Sequence, residues 1–273
     1  MYYPKQIPYL FHPAFQKEIL YKEYQMPELD DYCMCIWQIK SNQEVKKPVE
    51  LSILPDACID LVIDFVKQTI RFSGFSRDTE KLILTGEIDY LGVRMKPGAF
   101  YALFQISADK IIDHALSFSE VEKKSNFTSI LKLKNTEERI QMIESYLKSK
   151  ITTVKNSDFF IQFVEQLYEK PIFQSVDMLS ENFGYDERQL FRIFKKHYGV
   201  SPKVLLNILR LHLCFSLLFD ERKNLNDIIH ICGFYDQSHF IKEIKKYTGI
   251  SPFKLLEAYQ LSLSVFYNTK LKK

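Results

Sequence analysis

The spacing of hydrophobic and polar positions changes near residue 135 of this 273-residue chain. Before that point, short runs rich in Val, Ile, Leu and aromatic residues are separated by polar or Pro- and Gly-containing breaks, which is the pattern of β-strands. The runs that we predict to be strands are 33–39, 49–54, 59–66, 69–72, 81–84 and 90–95. Strands of this number and spacing predict a small barrel or sandwich.

After residue 135, apolar positions recur at every third or fourth residue, as in amphipathic helices. The first such helix is predicted over 136–150, and the β-branched and polar residues 151–157 predict a linker. We therefore expect an α+β protein with two domains. A β-rich domain over 1–150 ends in a helix, and an all-α domain covers 158–262, followed by a basic tail over 263–273.

Helix start and stop signals divide the all-α part into short and long helices. The predicted helices span 158–169, 175–182, 186–197, 202–218, 225–232 and 236–247, and another begins at Ser251. Asp186 with Gln189 three residues later has the spacing of an N-terminal capping box. The segment 202–218 is apolar nearly all round, so we expect a buried helix that connects two smaller units.

Residues 194–206 and 244–256 form an internal repeat with an offset of fifty residues. In each copy two lysines occupy the last turn of a helix, and a glycine, Gly199 or Gly249, follows in the position that favours left-handed backbone. A serine then caps the next helix, with proline at its first position. Each copy follows a short helix and a glycine turn, and this order is the signature of a helix-turn-helix.

Composition and charge narrow the classes of protein. With 46% hydrophobic and 26% charged residues the chain is typical of soluble globular proteins. No apolar run approaches the roughly 20 residues that span a bilayer, and the N-terminus has no signal pattern, so we expect a cytoplasmic protein without a membrane partner. The net charge is −1 over residues 1–150 and +4 over 151–273, which favours an anionic partner for the C-terminal part.

The cysteines and histidines give no metal or redox motif. The five cysteines, at 33, 35, 58, 214 and 232, are odd in number and lack paired spacing, so we expect buried, reduced thiols. His230 and Cys232 alone approach a ligand spacing, which one turn of a core helix also explains. We predict no metal, no cofactor and no catalytic residue, and we expect the only tryptophan, Trp37, to belong to the core.

Three ionisable residues, Asp56, Asp60 and Arg94, are the best placed to lie in the interior of the β-rich domain. They stand in or beside two turns, 54–61 and 92–99, that connect predicted elements. Two interpretations stay open. The residues form a structural ion pair that ties the turns together, or they contact an effector.

The helical part resembles the DNA-binding domain of AraC/XylS-type transcription regulators over about residues 158–259. The N-terminal part is similar to a β-rich domain fused to such regulators, through 55–61 and 92–99, although Ala57 stands where that domain usually has glycine. The residues that carry the first resemblance are Leu190, Arg192, Phe194, Lys195, Gly199, Ser201, Pro202, Arg210, Leu211, Ile228, Gly233, Phe234, Asp236, Gln237, Ser238, Phe240, Lys245, Gly249, Ser251 and Pro252.

The resemblance implies that the second helix of each unit reads double-stranded DNA in the major groove. The base contacts expected on these helices are Arg188, Phe191, Arg192, Gln237, Ser238, His239 and Lys242. The phosphate contacts expected beside them are Lys195, Lys196, Ser201, Lys245, Lys246 and Ser251. Arg188 and Arg192 share a helix face and suit guanine, so we expect the first unit to supply more base specificity than the second.

Further partners and other function classes stay open at this point. RNA polymerase, a small-molecule effector and a second copy of the chain are all compatible with the resemblance, as are activation and repression. The N-terminal domain could instead serve only for dimerisation or docking. A different class, an enzyme such as a cysteine-dependent DNA repair protein, requires an activated thiol, and no cysteine has a sequence neighbour that lowers its pKa.

Overall fold

The computed structural model describes residues 18–151, 158–169, 176–218, 224–255 and 257. Its N-terminal part is built from antiparallel strands, and the six predicted strands are all present with slightly different ends. The strands are β1 (Ile19–Tyr24), β2 (Cys33–Ser41), β3 (Val45–Ile53), β4 (Ile59–Asp64), β5 (Thr69–Ser73), β6 (Glu80–Gly86), β7 (Asp89–Met95) and β8 (Ala115–Ser117).

The strands form two layers. Six of them make one sheet in the order β1-β2-β7-β4-β5-β8, and β3 pairs with β6 in a two-stranded ribbon. Leu51 and Leu84 of the ribbon share a buried cluster with Trp37 and Val62 of the sheet, so the ribbon covers one face of the sheet. The β-rich domain expected from the sequence is therefore confirmed as a sandwich-like arrangement.

Helices cover the opposite face of the sheet. These are α1 (Ala99–Phe104), α2 (Phe118–Val121) and α3 (Thr136–Ile151). Leu61 and Ile63 of β4 point into a second core with Phe100 of α1 and Leu147 of α3, whereas Val62 between them faces the ribbon. This alternation with period two is what a sheet buried on both faces requires.

The C-terminal part consists of helices close to the predicted bounds. They are α4 (Asp158–Glu169), α5 (Val176–Phe183), α6 (Glu187–Tyr198), α7 (Pro202–Leu218), α8 (Leu225–Ile231) and α9 (Gln237–Thr248), and residues 252–255 and 257 are also helical. The capping box of Asp186 and Gln189 is present, with the Gln189 N–H donating to Asp186 at 2.7 Å. Gly199 and Gly249 both adopt left-handed backbone, with φ of 76° and 75°.

The helix α7 connects two hydrophobic cores. Leu205 and Leu209 belong to a cluster with Leu190 and Phe194 of the first helix-turn-helix. One or two turns later, the α7 residues Leu211, Cys214, Phe215 and Leu218 belong to a cluster with the second helix-turn-helix. The expectation of a buried connector between two units is confirmed.

Some expectations lie partly outside the described residues. The linker is described only at Ile151, the cap Ser175 and the tail 263–273 are not described, and the domain boundary stays a prediction. The sequence analysis did not predict β1, β8 or α2. Within the described ranges no single helix has the length and apolar composition of a membrane span, and α6 with α7, bent by 55°, passes that test only as a pair.

Candidate nucleic-acid interface and interior cavity

The outward face of α6 holds the base contacts predicted for the first unit. Leu190, Phe194 and Tyr198 are buried and fix the inner face of the helix. Arg188 and Arg192 are exposed on the other side, and Phe191 between them is 47% exposed despite its apolar ring. A helix with a packed inner face and an exposed arginine pair can enter a groove without rearrangement of its core.

The C-terminal end of α6 touches the β-rich part of the chain. The ammonium of Lys196 lies 4.7 Å from the centre of the Tyr101 ring of α1. The His197 ring packs between Tyr101 and Phe160, with centroid distances of 4.6 and 3.7 Å. Burial, with a smaller contribution from Lys196, lowers the pKa of His197 to about 4, so this ring is neutral near pH 7. Lys196, a predicted phosphate contact, is therefore also an interdomain contact.

The second unit repeats this geometry with weaker donors. Phe240 and Ile244 are buried on the inner face of α9, and Gln237, Ser238 and Lys242 are exposed. The predicted base contacts Gln237, Ser238, His239 and Lys242 lie in the first six residues of α9. Asp236 accepts the His239 N–H at 2.7 Å, and the His239 ring packs edge-on against Phe234 at 5.2 Å. Lys245 and Lys246 are exposed in the last turn.

Ser201 and Ser251 stand at the starts of the helices that follow α6 and α9. Their hydroxyls accept N–H groups at long distances, 3.4 Å from Val204 and 3.5 Å from Lys254. Such caps leave the first-turn N–H groups able to attract phosphate. Arg210, on the connector, stacks on the Phe234 ring at 4.9 Å and donates to Asn207 at 3.1 Å, which gives it an internal role.

Asp56, Asp60 and Arg94 meet in the interior of the β-rich part. The Arg94 Nε lies 3.5 Å from an Asp60 oxygen and 3.8 Å from an Asp56 oxygen, and the three side chains are 11%, 20% and 7% exposed for Arg94, Asp60 and Asp56. Burial raises the pKa of Asp60 to about 6, although Arg94 acts in the opposite direction. At these distances the ion pair is a loose one, and both interpretations of the three residues stay open.

A cavity of about 190 Å³ lies between the sheet and the ribbon, with this ion-pair cluster in its wall. Among the described residues, Trp37 Nε1, Asp60 Oδ1 and Arg94 Nε are buried and form no well-aligned hydrogen bond, although Arg94 Nε and Asp60 Oδ1 face one another at 3.5 Å. Trp37 is 8% exposed, as expected for a core residue, but it also lines the cavity. Its ring lies so close to Gly92 that a Cβ there would be 2.1 Å from ring atoms.

The turn between β3 and β4 joins this cavity to the connector helix. Asp56, which lines the cavity, accepts the Cys58 N–H at 2.9 Å around Ala57, whose φ of 59° explains the usual preference for glycine there. On the other side, the Pro55 carbonyl lies 2.9 Å from His212 Nε2 of α7. Leu54 also belongs to the cluster around α7 and the second unit.

His212 is a functional candidate that the sequence analysis missed. Burial lowers its pKa to about 4, so the neutral ring donates its Nε2–H to the Pro55 carbonyl. A histidine within a largely apolar helix was the one sequence feature that could have indicated this role. The sequence could not identify its partner, which is 157 positions away in the chain. Lys96 and Glu165 were missed for the same reason, and their ion pair at 2.7 Å links the strand region to α4.

The cysteines provide no activated nucleophile. All five are free and buried, as expected. Burial raises the pKa of Cys33 to about 12 and that of Cys58 well above its usual value, which opposes thiolate formation. Among the described residues no group of three His, Cys, Asp or Glu side chains could hold a metal ion.

Both parts of the chain match families of known proteins. Residues 179–258 match a family model described as a helix-turn-helix domain, and residues 26–117 match a domain of unknown function, DUF6597. The transcriptional regulator LumQ of Photobacterium leiognathi is 31% identical over 90 residues, 33% of this chain and 36% of LumQ. The activator RhaS of Pectobacterium atrosepticum is 34% identical over 74 residues, 27% of this chain and 26% of RhaS.

These relatives are matched over about a quarter to a third of their own length. Among solved structures, ToxT from Vibrio cholerae aligns over 89% of this chain and 99% of its own, with 15% identity and a TM-score of 0.38. The two matched family models show that the chain has an AraC-type helix-turn-helix domain preceded by a DUF6597 domain. The resemblance stated from the sequence is confirmed.

Proposed function

We propose that the chain is a transcription regulator that binds specific DNA with both helix-turn-helix units. The observation that carries this proposal is the repeated geometry of α6 and α9, each packed on a shared, buried connector and each exposing a polar face. Two such helices on one rigid element suit successive major grooves, about 34 Å apart along the duplex. Because the two faces differ in sequence, one chain can read an asymmetric site.

The residue assignments form part of this proposal. Arg188 and Arg192 contact guanines, Phe191 contacts a thymine methyl group, and Gln237 contacts adenine. Ser238, His239 and Lys242 complete the base-reading face of the second unit. The phosphates are held by lysines and helix starts beside these faces, namely Lys195, Lys196, Ser201, Lys245, Lys246 and Ser251.

The β-rich domain supplies the control in this proposal. Its cavity has largely apolar walls, a buried and loosely paired ion cluster at one end, and about 190 Å³ of space, which is enough for a small effector. The turn at Pro55 and Asp56 contacts the cavity on one side and the connector helix on the other, so a ligand can alter the support of both units. Dimerisation through this domain is the competing proposal, and the cavity favours an effector.

Selection of bound sequences from random duplex DNA tests the proposal directly. We expect an asymmetric motif with two conserved segments about 10 base pairs apart, centre to centre. A variant with Arg188→Ala and Arg192→Ala should lose conservation in one segment only. Recovery of no motif by the wild-type chain, or loss of both segments together in the variant, would contradict independent reading by two units.

A further inference from the structure

The cavity between the sheet and the ribbon fits one chemical class of ligand. We propose that it binds a small organic amine that has an apolar body and a neighbouring oxygen acceptor. This inference rests on the proposed function only in treating the cavity as the effector site. The shape, the charge and the loosely paired polar atoms of the cavity each support it.

The shape limits the ligand to a compact apolar body. A buried water needs roughly 10–15 Å³ of volume measured in this way, so 190 Å³ holds on the order of ten non-hydrogen atoms. Most of the wall is hydrophobic or aromatic. The apolar lining residues are Trp37, Ile39, Leu51, Ile53, Val62, Phe75, Leu82 and Tyr90.

The charge of the polar end favours a cation. Arg94 lies between Asp56 and Asp60, so its single positive charge faces two carboxylates. The other charged residues of the described lining, Arg71 and Glu80, offset one another. A carboxylate or phosphate ligand would therefore meet a described lining that already has one negative charge in excess. An ammonium group would remove that excess and reduce the cost of burying Asp60.

The loosely paired atoms define the groups beside the ammonium. Asp60 Oδ1 faces Arg94 Nε at 3.5 Å, and neither atom forms a hydrogen bond of good geometry with a described residue. A protonated amine gives Asp60 a closer donor. A hydroxyl or carbonyl oxygen on the ligand gives Arg94 Nε and Trp37 Nε1, which also lacks a well-aligned acceptor, a closer one. The Trp37 indole also lies beside Asp60, where it lowers the pKa of this carboxyl group. Its ring face can stabilise a nearby cation further.

Three small molecules that differ in one group test the class of ligand. They are 2-amino-1-phenylethanol, the diol in which a hydroxyl group replaces the amine, and mandelate, in which a carboxylate replaces the aminomethyl group. With the full-length chain at pH 7.5 we expect the amine to raise the melting temperature with increasing concentration, because only the folded state binds it. The diol should act at least tenfold more weakly, and mandelate should have no effect.

Asp60→Asn should remove the preference for the amine over the diol, because it keeps the shape of the side chain and loses its charge. Glu44→Gln, an exposed residue outside the cavity, is the charge-matched control and should keep the preference.

A second test measures ligand affinity of the wild-type chain as a function of pH and needs no substitution. Amine affinity should fall as pH is lowered from 7.5 to 5, since Asp60 has a pKa of about 6, while diol affinity should stay constant.

The charged and titratable groups that interact with Asp60 are Arg94, Asp56 and Cys58, and Tyr90, Arg71 and Glu80 line the same cavity. Asp60→Asn in the same titration separates its contribution from theirs. Stronger binding of mandelate than of the amine, or binding of none of the three, would overturn the inference. Binding of the chain to its selected duplex, measured in parallel, shows whether the proposed DNA-binding function fails or only the ligand class.

Discussion

At the scale of single residues, the two units differ most in the arginines of α6. Arg188 and Arg192 lie four positions apart and are exposed, whereas no arginine occurs in α9. A bidentate arginine contact to guanine discriminates by roughly 1–3 kcal/mol, while Gln and Lys contacts depend more on their surroundings. Base specificity should therefore be concentrated in the half-site read by α6.

Arg192→Ala should lower affinity for the selected duplex by about 10- to 100-fold and relax the preference at a single base pair. Competition between duplexes that differ at one base pair measures this change. Lys132→Ala, an exposed lysine of the β-rich part, is the control and should bind as the wild type does. If the loss is equal for all duplexes, Arg192 contacts phosphate and the assignment to a base is wrong.

Lys245→Ala should weaken binding to every duplex by a similar factor and reduce the slope of log affinity against log salt by about one. The same change at Lys196 should have a smaller effect, because its ammonium already lies over the Tyr101 ring and must leave it to reach a phosphate. Fluorescence anisotropy over a range of salt concentrations compares the two variants. Equal losses would show that the Tyr101 contact costs nothing to break.

Asp60 should make the stability of the chain depend on pH. Its pKa is about 6 when folded and 3.8 in the usual reference state, so the folded chain binds more protons between these values. The free energy of unfolding therefore falls as pH rises from about 4 to 6, by at most about 3 kcal/mol. Asp60→Asn should remove this fall, as measured by urea unfolding at several pH values. A fall of equal size in the variant would assign it to another group.

At the scale of elements, the sequence predicted the bounds of a helix best where local capping residues determine its ends. The helix α6 begins after the Asp186 cap and ends at Gly199, and α7 has the predicted bounds from its proline onward. The short edge strands β1 and β8 were missed because their formation depends on the neighbours β2 and β5. The cavity could not be predicted, because it depends on how the β3–β6 ribbon lies over the sheet.

The connector α7 depends on a contact outside its own domain. His212→Leu should lower the free energy of unfolding by about 1–3 kcal/mol, because the buried Pro55 carbonyl loses its donor from His212. His212→Gln retains an N–H donor and should recover part of this loss. Thermal and urea unfolding of both variants provide the comparison. Equal stability of the Leu and Gln variants would mean that packing, and not the hydrogen bond, determines the effect.

At the scale of the whole molecule, the β-rich part packs against the C-terminal end of α6. Gly199, after α6, lies against Ile112 so closely that a Cβ would be 2.2 Å from its side chain. Ser107 and Asp109 line one cleft together with Phe191, Arg192, Lys195 and Lys196 of α6. The sequence analysis assigned these α6 residues to DNA and gave no sign of this contact, because the two partners are far apart in the chain.

If the lysines of α6 contact phosphate as we propose, DNA and the β-rich part compete for the same end of this helix, and by linkage a change that loosens the interdomain contact strengthens DNA binding. The Lys96–Glu165 ion pair also joins the β-rich part to the helices, through α4, with Lys96 only 6% exposed. Lys96→Met should loosen the contact and raise affinity for all duplexes alike, as measured by anisotropy, and Lys123→Met, at an exposed site, is the matched control. Hydrogen exchange in α6 should increase in the Lys96 variant alone. Unchanged affinity together with faster exchange would show that bound DNA and the interdomain contact are compatible, so that control by the β-rich part must act through α7 and His212.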